Sequence, residues 1–239
     1  MDMTINTLIT GADRGMGYEL ALELGLKGQY IYAGSRNLDR GQAAVAQLEA
    51  AGVQAQAVQL DVTNHESIVN AKERITANLD ILINNAGIAV DHEAKPSELS
   101  LDAIRQDFNV NYFGLIDVTQ VFLPLLKAAP AGRIINISSA VGSLTLASDA
   151  STSIHKLQAS GYQASKAAVN MFTVKLAAEL EGTPVTVNAV NPGWVDTSFG
   201  GGGGNRSVQV GVARTVELAT SDALTDSGTF SDIDGIVPW

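Results

Sequence analysis

Thr10-Gly11-Ala12-Asp13-Arg14-Gly15-Met16-Gly17 follows the apolar run Ile5–Thr10 and leads directly into a stretch of helical spacing, Tyr18–Leu26. A strand, a glycine-rich turn and a helix in immediate succession form the opening of a βαβ unit. Lacking a Cβ, glycine lets backbone N–H groups and a helix N-terminus come close to a pyrophosphate. The spacing departs from G-x-G-x-x-G, and three glycines here also suit a plain strand-to-helix loop. The rest of the chain has to decide between the two.

Working outward, further short apolar and β-branched runs recur at Tyr30–Gly34, Val53–Leu60, Leu79–Ile83, Arg133–Ile137 and Val185–Val190. Each reads as a buried strand. Between them, apolar residues return every three or four positions in Arg40–Glu49, Ile68–Ala77, Ile104–Leu126 and Ala167–Leu180, which predicts helices. Strand and helix in alternation predict an α/β fold, a doubly wound parallel sheet with helices on both faces. Ligands of such sheets bind beyond the carboxyl ends of the strands. Two segments break the alternation: Ala140–Ser160, rich in Ser, Thr and Ala, and Ser198–Asn205, whose run Gly200–Gly204 reads as a mobile loop.

The 239 residues are 46% hydrophobic and 17% charged, so one globular domain spanning 1–239 is expected. A net charge of −10, with no compensating Lys/Arg cluster, argues against nucleic acid and anionic lipid partners. The absence of cysteine removes disulfides and thiolate zinc sites, and His65, His92 and His155 lack metal-ligand spacing, so no metal is expected. Asp91-His92-Glu93 reads as a solvated loop. Met1-Asp2-Met3-Thr4 has no signal-peptide character and no apolar run reaches membrane-spanning length, so a soluble cytoplasmic protein without a membrane partner is the simplest reading.

A dinucleotide site for NAD usually has an acidic residue at the end of the second strand, on the adenosine ribose. Here that neighbourhood reads Ser35-Arg36-Asn37. A guanidinium suits a 2′-phosphate, and Arg14 in the turn adds a second, so NADP(H) is preferred, although either Arg also suits a solvated surface. Farther on, Tyr162 and Lys166 lie four residues apart, on one helix face. A neighbouring ammonium favours phenolate and would lower the Tyr pKa toward working pH. Taken alone, Tyr-x-x-x-Lys is a weak signal.

Order supplies the specificity. The glycine turn, Asn84-Asn85-Ala86-Gly87, Asn109-Val110-Asn111, Ser138-Ser139, the Tyr/Lys pair and Asn191-Pro192-Gly193 succeed one another, each near a predicted strand end or helix. Together they resemble the short-chain dehydrogenase/reductase family over essentially the whole chain. The resemblance implies a sheet of about seven strands. It also implies a pyrophosphate turn at Gly11, Gly15, Met16 and Gly17, and an adenine contact at Asp61 and Val62. Asn85, Ala86 and Gly87 would flank the cofactor, and Pro192, Gly193, Val195 and Thr197 would border its nicotinamide. The catalytic set carried over is Asn111, Ser139, Tyr162 and Lys166. Ser139 and Tyr162 would bind the carbonyl oxygen, Tyr162 would donate the proton, Lys166 would hold the ribose and tune Tyr162, and Asn111 would anchor a water.

The chain departs from the family where Ser139 and Tyr162 stand 162 − 139 = 23 positions apart, which implies an insertion within Ala140–Ser160. Carbonyl reductases of the family also lengthen this segment, and the ending Phe230…Gly235-Ile236-Val237-Pro238-Trp239 resembles theirs. The insertion leaves dimer, tetramer and monomer all open, and it equally suits an inert surface loop. Trp194 is placed to wall the nicotinamide pocket or simply to pack, and Phe199 with the glycine run to close as a lid or to stay disordered. The expected activity is NADPH-dependent reduction of a ketone or aldehyde. The alternatives are an alcohol or steroid dehydrogenase working oxidatively, and an NADP(H)-binding regulatory protein without turnover.

Overall fold

The computed structural model describes residues 4–75, 78–90, 94–199, 202–221 and 226–239. Eight strands join in one sheet: β1 (Asn6–Thr10), β2 (Tyr30–Ser35), β3 (Ala55–Gln59), β4 (Ile81–Asn84), β5 (Gly132–Ile137), β6 (Val185–Val190), β7 (Phe230–Asp232) and β8 (Gly235–Ile236). Their order is β3-β2-β1-β4-β5-β6-β7-β8, every pair parallel except the closing β7–β8 hairpin. The order reverses between β1 and β4, so a crevice opens there at the carboxyl ends of the strands. The expectation of about seven strands falls short by the two-residue β8, which is too brief to leave a period-2 pattern.

Alternate residues of each strand enter two separate cores. Ile9, Ile31, Ile81, Ile83 and Ile135 pack on one face with α1 (Gly15–Leu26), α2 (Leu38–Ala50) and α8 (Val208–Thr220). Leu8, Tyr32, Leu82 and Ile134 pack on the other with α3 (His65–Arg74), α5 (Leu115–Ala128) and α7 (Ser160–Glu179). Near-continuous apolar runs are the sequence mark of strands covered on both sides.

Three expected boundaries change for physical reasons. The single helix expected over Ile104–Leu126 is α4 (Leu101–Phe108), a π-helical turn over Asn109–Gly114, and α5. The extra residue in that turn escapes a 3.6-residue period. Val53, expected at the head of a strand, instead precedes β3 and packs against Gly25, where a Cβ would meet Val53 Cγ1 at 2.1 Å. The helix expected from Ala167 begins seven residues earlier, at Ser160, and so carries Tyr162 in its first turn. Ala140–Ser160 is not featureless: it holds a short 3-10 turn at Ala140–Gly142, α6 (Leu144–Ser148) and a second turn at Ile154–Lys156. Thr76, Ala77, Asp91-His92-Glu93, Gly200 and Gly201 lie outside the described residues.

Candidate active site

The glycine turn has the backbone its composition calls for. Gly11 and Gly15 take φ of +66° and +55°, a region L-residues other than glycine rarely enter. A Cβ on Gly17 would stand 2.1 Å from the Gly11 carbonyl oxygen and 2.6 Å from Asn85 Nδ2, so α1 can lie this close to the turn only with glycine there. The first turn of α1 has neither a side-chain cap nor an acidic residue. The positive dipole end of α1 is therefore left without a side-chain acceptor or counter-charge next to the glycine turn, the right chemistry for a pyrophosphate.

Asn85 ties this turn to β4. Its Nδ2 donates to the carbonyls of Thr10 (2.8 Å) and Gly11 (3.2 Å), while the backbone N–H groups of Asn85 and Ala86 donate to Thr10 Oγ1 at 3.0 and 2.9 Å. Met16 turns its side chain into the core under the sheet, leaving only its backbone toward the turn. Beyond β2, Ser35 is buried with its hydroxyl on the Asn37 carbonyl at 2.8 Å, and Asn37 caps α2 by accepting from the Arg40 N–H at 2.9 Å. Arg14 and Arg36 are both exposed. Asp13 pairs instead with Arg40, Nε to Oδ2 3.4 Å. The Asp61 carboxylate holds the N–H and hydroxyl of Thr63 at 2.9 and 2.7 Å, and Gly114 lets the π-helical turn approach Val62, whose carbonyl oxygen a Cβ would meet at 2.6 Å.

At the centre the four expected catalytic positions meet. Asn111 is buried in the π-helical turn, its Oδ1 accepting from the Ile88 N–H at 2.8 Å and its Nδ2 donating to the Ile88 carbonyl at 2.8 Å and to Ser165 Oγ at 3.0 Å. Ser165 in turn donates to the Tyr162 carbonyl at 2.7 Å. The Ser139 side chain lies near enough to the Tyr162 hydroxyl to favour its ionised form. Lys166 Nζ donates to the Ile137 carbonyl at 2.8 Å and lies 5.7 Å from the Tyr162 ring centroid. Gly87 sits against this group: a Cβ there would be 3.3 Å from Asn111 Oδ1 and 3.8 Å from Lys166 Nζ.

The electrostatics overturn one expectation. Tyr162 is half-buried as a residue with its oxygen at the enclosed end, and burial pushes the phenol well above its usual value of 10.0. The Ser139 side chain opposes the rise and the charge of Asp107 adds to it. The lowering expected from Lys166 does not appear, because the ammonium sits across the ring face and bonds the Ile137 carbonyl rather than the phenol oxygen. Lys166 itself is pushed down to about 8 by burial, which the carboxylate of Asp107 resists. Burial thus favours the uncharged form of both groups, the phenol and the amine.

The loop after β6 closes the site. Pro192 and Val195 are buried, Gly193 has φ of +78°, and Thr197 Cγ2 lies 3.8 Å from where a Cβ of Gly15 would stand, so this loop reaches the glycine turn. Trp194 is 61% exposed, and does not serve as packing for the core. The Phe199 ring lies 6.0 Å from that of Tyr162. Its loop is pinned at the base, with Asp196 N donating to the Arg206 carbonyl and Arg206 N to that of Trp194, so at least its stem is ordered rather than free.

Two residues of this neighbourhood carry roles the sequence did not assign: Asn191, quoted there only as the head of Asn191-Pro192-Gly193, and Gly142, not singled out at all. Asn191 Oδ1 accepts from both the Ala140 N–H (3.0 Å), next to Ser139, and the Gly193 N–H (3.1 Å), while its Nδ2 donates to Asp232 Oδ2 at 2.9 Å. It joins its own loop to the segment after Ser139 and to the end of β7, partners about 50 and 40 positions away that sequence spacing does not show. At Gly142 a Cβ would meet the Lys166 and Ala167 backbone at 2.7 Å, so glycine lets the segment after Ser139 lie on α7. Among the described residues no group of three or more His, Cys, Asp or Glu could hold a metal, and no helix is long and apolar enough to cross a membrane.

Comparison with known proteins agrees with this geometry. Residues 6–202 match the family described as short chain dehydrogenase. The mouse protein named carbonyl reductase [NADPH] 1 is 30% identical, with 97% of each chain covered. The NADPH-bound carbonyl reductase from chicken fatty liver superposes with a TM-score of 0.85 at 28% identity, over 99% of this chain and 100% of that one. A 3-oxoacyl-[acyl-carrier protein] reductase with bound NAD from Brucella melitensis superposes with a TM-score of 0.83 at 25% identity, over 100% of this chain and 93% of that one. With the match spanning most of its length, and a strand order, glycine cradle and Asn/Ser/Tyr/Lys cluster in accord with it, this chain belongs to the short-chain dehydrogenase/reductase family, oxidoreductases that use a nicotinamide cofactor.

Proposed function

We propose that the protein is an NADPH-dependent carbonyl reductase that converts a ketone or aldehyde to the alcohol. The observation carrying this reading is the convergence of Asn111, Lys166 and Tyr162 beside Gly87, through the Asn111–Ser165–Tyr162 hydrogen bonds and the Lys166 bond to the end of β5. A donor that stays protonated at neutral pH suits reduction, where the oxygen gaining negative charge needs a proton. The oxidative alternative uses the same groups in reverse, with the Tyr162 oxygen taking the alcohol proton.

In this reading Gly11, Arg14, Gly15, Met16 and Gly17 hold the pyrophosphate through backbone N–H groups and the α1 terminus. Asp61 and Val62 flank the adenine, and Asn85, Ala86 and Gly87 the adjoining wall. Pro192, Gly193, Val195 and Thr197 border the nicotinamide. Ser35, Arg36 and Asn37 surround the 2′-phosphate; the absence of a carboxylate at the end of β2, with Arg36 exposed beside it, supports NADP(H) over NAD(H). When bound, the nicotinamide supplies the hydride. Ser139 and Tyr162 orient the carbonyl oxygen and stabilise its charge, and the proton passes from the Tyr162 oxygen to the alkoxide. Lys166 orients the ribose, and Asn111 fixes the helical turn and the Ile88 backbone behind them. The regulatory reading without turnover has no use for this acid.

The test is NADPH oxidation by purified protein with a panel of activated ketones and aldehydes. Turnover that vanishes in Tyr162→Phe, with NADPH affinity retained, is the expected result. Turnover persisting in that variant defeats the reading.

A further inference from the structure

The face that α7 turns to the sheet is largely polar. Among its buried residues are Ser165, Lys166, Asn170 and Thr173. Tyr162, Lys166, Asn170 and Thr173 recur at separations of four, four and three, so they share one helix face. The last three each bond to the end of β5. Lys166 Nζ donates to the Ile137 carbonyl at 2.8 Å, Asn170 Oδ1 accepts from Ser138 Oγ at 2.5 Å, and Thr173 Oγ1 accepts from Asn136 Nδ2 at 2.9 Å. Three consecutive residues, Asn136, Ile137 and Ser138, thus meet three successive positions of one helix face.

Apolar side chains at Asn170 and Thr173 would bury comparable area without enclosing an amide or a hydroxyl. Burial is non-directional, however, and an apolar face lets a helix settle wherever packing is densest. Hydrogen bonds weaken steeply with distance and angle, so a row of them admits one axial position. That position matters at the end of α7 carrying Tyr162, where Ala159 provides no side-chain cap. Ser138 is central to it. Its N–H donates to the Val190 carbonyl at 2.8 Å, and it stands between Ile137, whose carbonyl holds Lys166, and Ser139.

Resting on the reading of Tyr162 and Lys166 as the reacting pair, we infer that Asn170 and Thr173 are positioning residues: bonded to Ser138 and Asn136, they fix the axial register of α7 on β5 and so set Tyr162 and Lys166 against Ser139. Each acts through the helix it belongs to. The rung farther from the site is braced on both sides, since Asn136 Oδ1 accepts from Asn84 Nδ2 at 2.9 Å and Thr173 Oγ1 donates to the Val169 carbonyl at 2.9 Å. The nearer rung, Ser138–Asn170, gives the cleaner test.

The experiment compares kcat for ketone reduction, NADPH affinity by fluorescence and melting temperature in wild type, Ser138→Ala, Asn170→Leu and the double variant, with Tyr162→Phe as control. Each single change leaves one partner of the bond without the other. The melting temperature is expected to fall and kcat to drop about tenfold or more, with NADPH affinity within a few-fold. The double variant removes both partners together, so its melting temperature is expected to return to the wild-type value or above. Its kcat is expected to stay at the level of the singles, because an apolar pair restores cohesion without direction. A residue that only stabilises the fold would give back kcat with the melting temperature. That recovery overturns the register role, as does wild-type kcat in a single variant, or a double variant that is less stable than the singles or does not fold. Where a single does not fold, the double carries the comparison with wild type. Wild type that turns over no ketone with NADPH, or Tyr162→Phe that still does, overturns the reading beneath it instead.

Discussion

The Lys166 ammonium nitrogen lies 5.7 Å from the centroid of the Tyr162 ring and donates to the Ile137 carbonyl at 2.8 Å, enclosed between α7 and the end of β5. Its proton affinity is pushed down to about 8 from 10.5 by burial, so the folded protein holds this proton less tightly than the unfolded chain does. The cost of enclosing the charge is then fully present below about pH 8. It declines as pH rises and vanishes above about 10.5, where both states are neutral. The shift corresponds to about 3 kcal/mol, a net figure with the bond to Ile137 already in place. Lys166→Met is expected to abolish reduction yet raise the melting temperature at pH 7, with the gain shrinking toward pH 10. Thermal unfolding at the two pH values checks it; a melting temperature below wild type at pH 7 contradicts it.

Arg36 stands at the end of β2, where an acidic residue would hold the ribose of NAD. Replacing a guanidinium by a carboxylate removes charge-assisted bonds to the 2′-phosphate and adds repulsion, together about 2–3 kcal/mol. Arg36→Asp is expected to lower the NADPH/NADH ratio of kcat/KM by about 100-fold, with NADH activity held or improved. An unchanged ratio places the 2′-phosphate on other residues.

Gly17 offers a sharper test of the cradle. A Cβ there would stand 2.1 Å from the Gly11 carbonyl oxygen, and the nearby Asn85 amide is itself bound to Thr10 and Gly11. Neither neighbour can yield without displacing the turn. Gly17→Ala is expected to cost about 2–3 kcal/mol of stability and to weaken NADPH binding at least tenfold. Gly52→Ala, where φ is +88° but a Cβ meets nothing within 4 Å, is the control that separates backbone strain from contact with the turn. It is expected to lose stability without losing NADPH affinity. Equal effects of the two on affinity would remove the argument for the cradle.

What could be read from the chain divides by sequence distance. The glycine turn, the two faces of the sheet and the Tyr162/Lys166 pair announce themselves because their determinants are neighbours: a Cβ-free turn, alternating apolar runs, a separation of one helical turn. The direction of the Tyr162 shift is not legible in the sequence, because spacing puts Lys166 near the ring but cannot say that its ammonium bonds Ile137. The π-helical turn hid within a good helical period.

Asn191 illustrates the same limit and gives the last test. Its amide holds the N–H beside Ser139 from one loop and that of Gly193 from another, and is itself oriented by Asp232 of β7. It is buried, so replacing it with leucine strands two N–H groups and a carboxylate oxygen away from water, at about 1–3 kcal/mol each where no water enters. In the proposed reading both loops border the reacting atoms, so the displacement acts on alignment, where a small error in position is costly. Asn191→Leu is expected to lower kcat by at least tenfold while the NADPH dissociation constant rises only a few-fold, since the glycine turn and Arg36 are untouched. Asn191→Asp keeps the acceptor oxygen but sets a second carboxylate against Asp232, 2.9 Å from the present amide nitrogen. It should recover kcat as pH falls and one of the two carboxylates takes up a proton. A pH-independent defect in Asn191→Asp would mean that the tie to Asp232 does not hold the two loops in register.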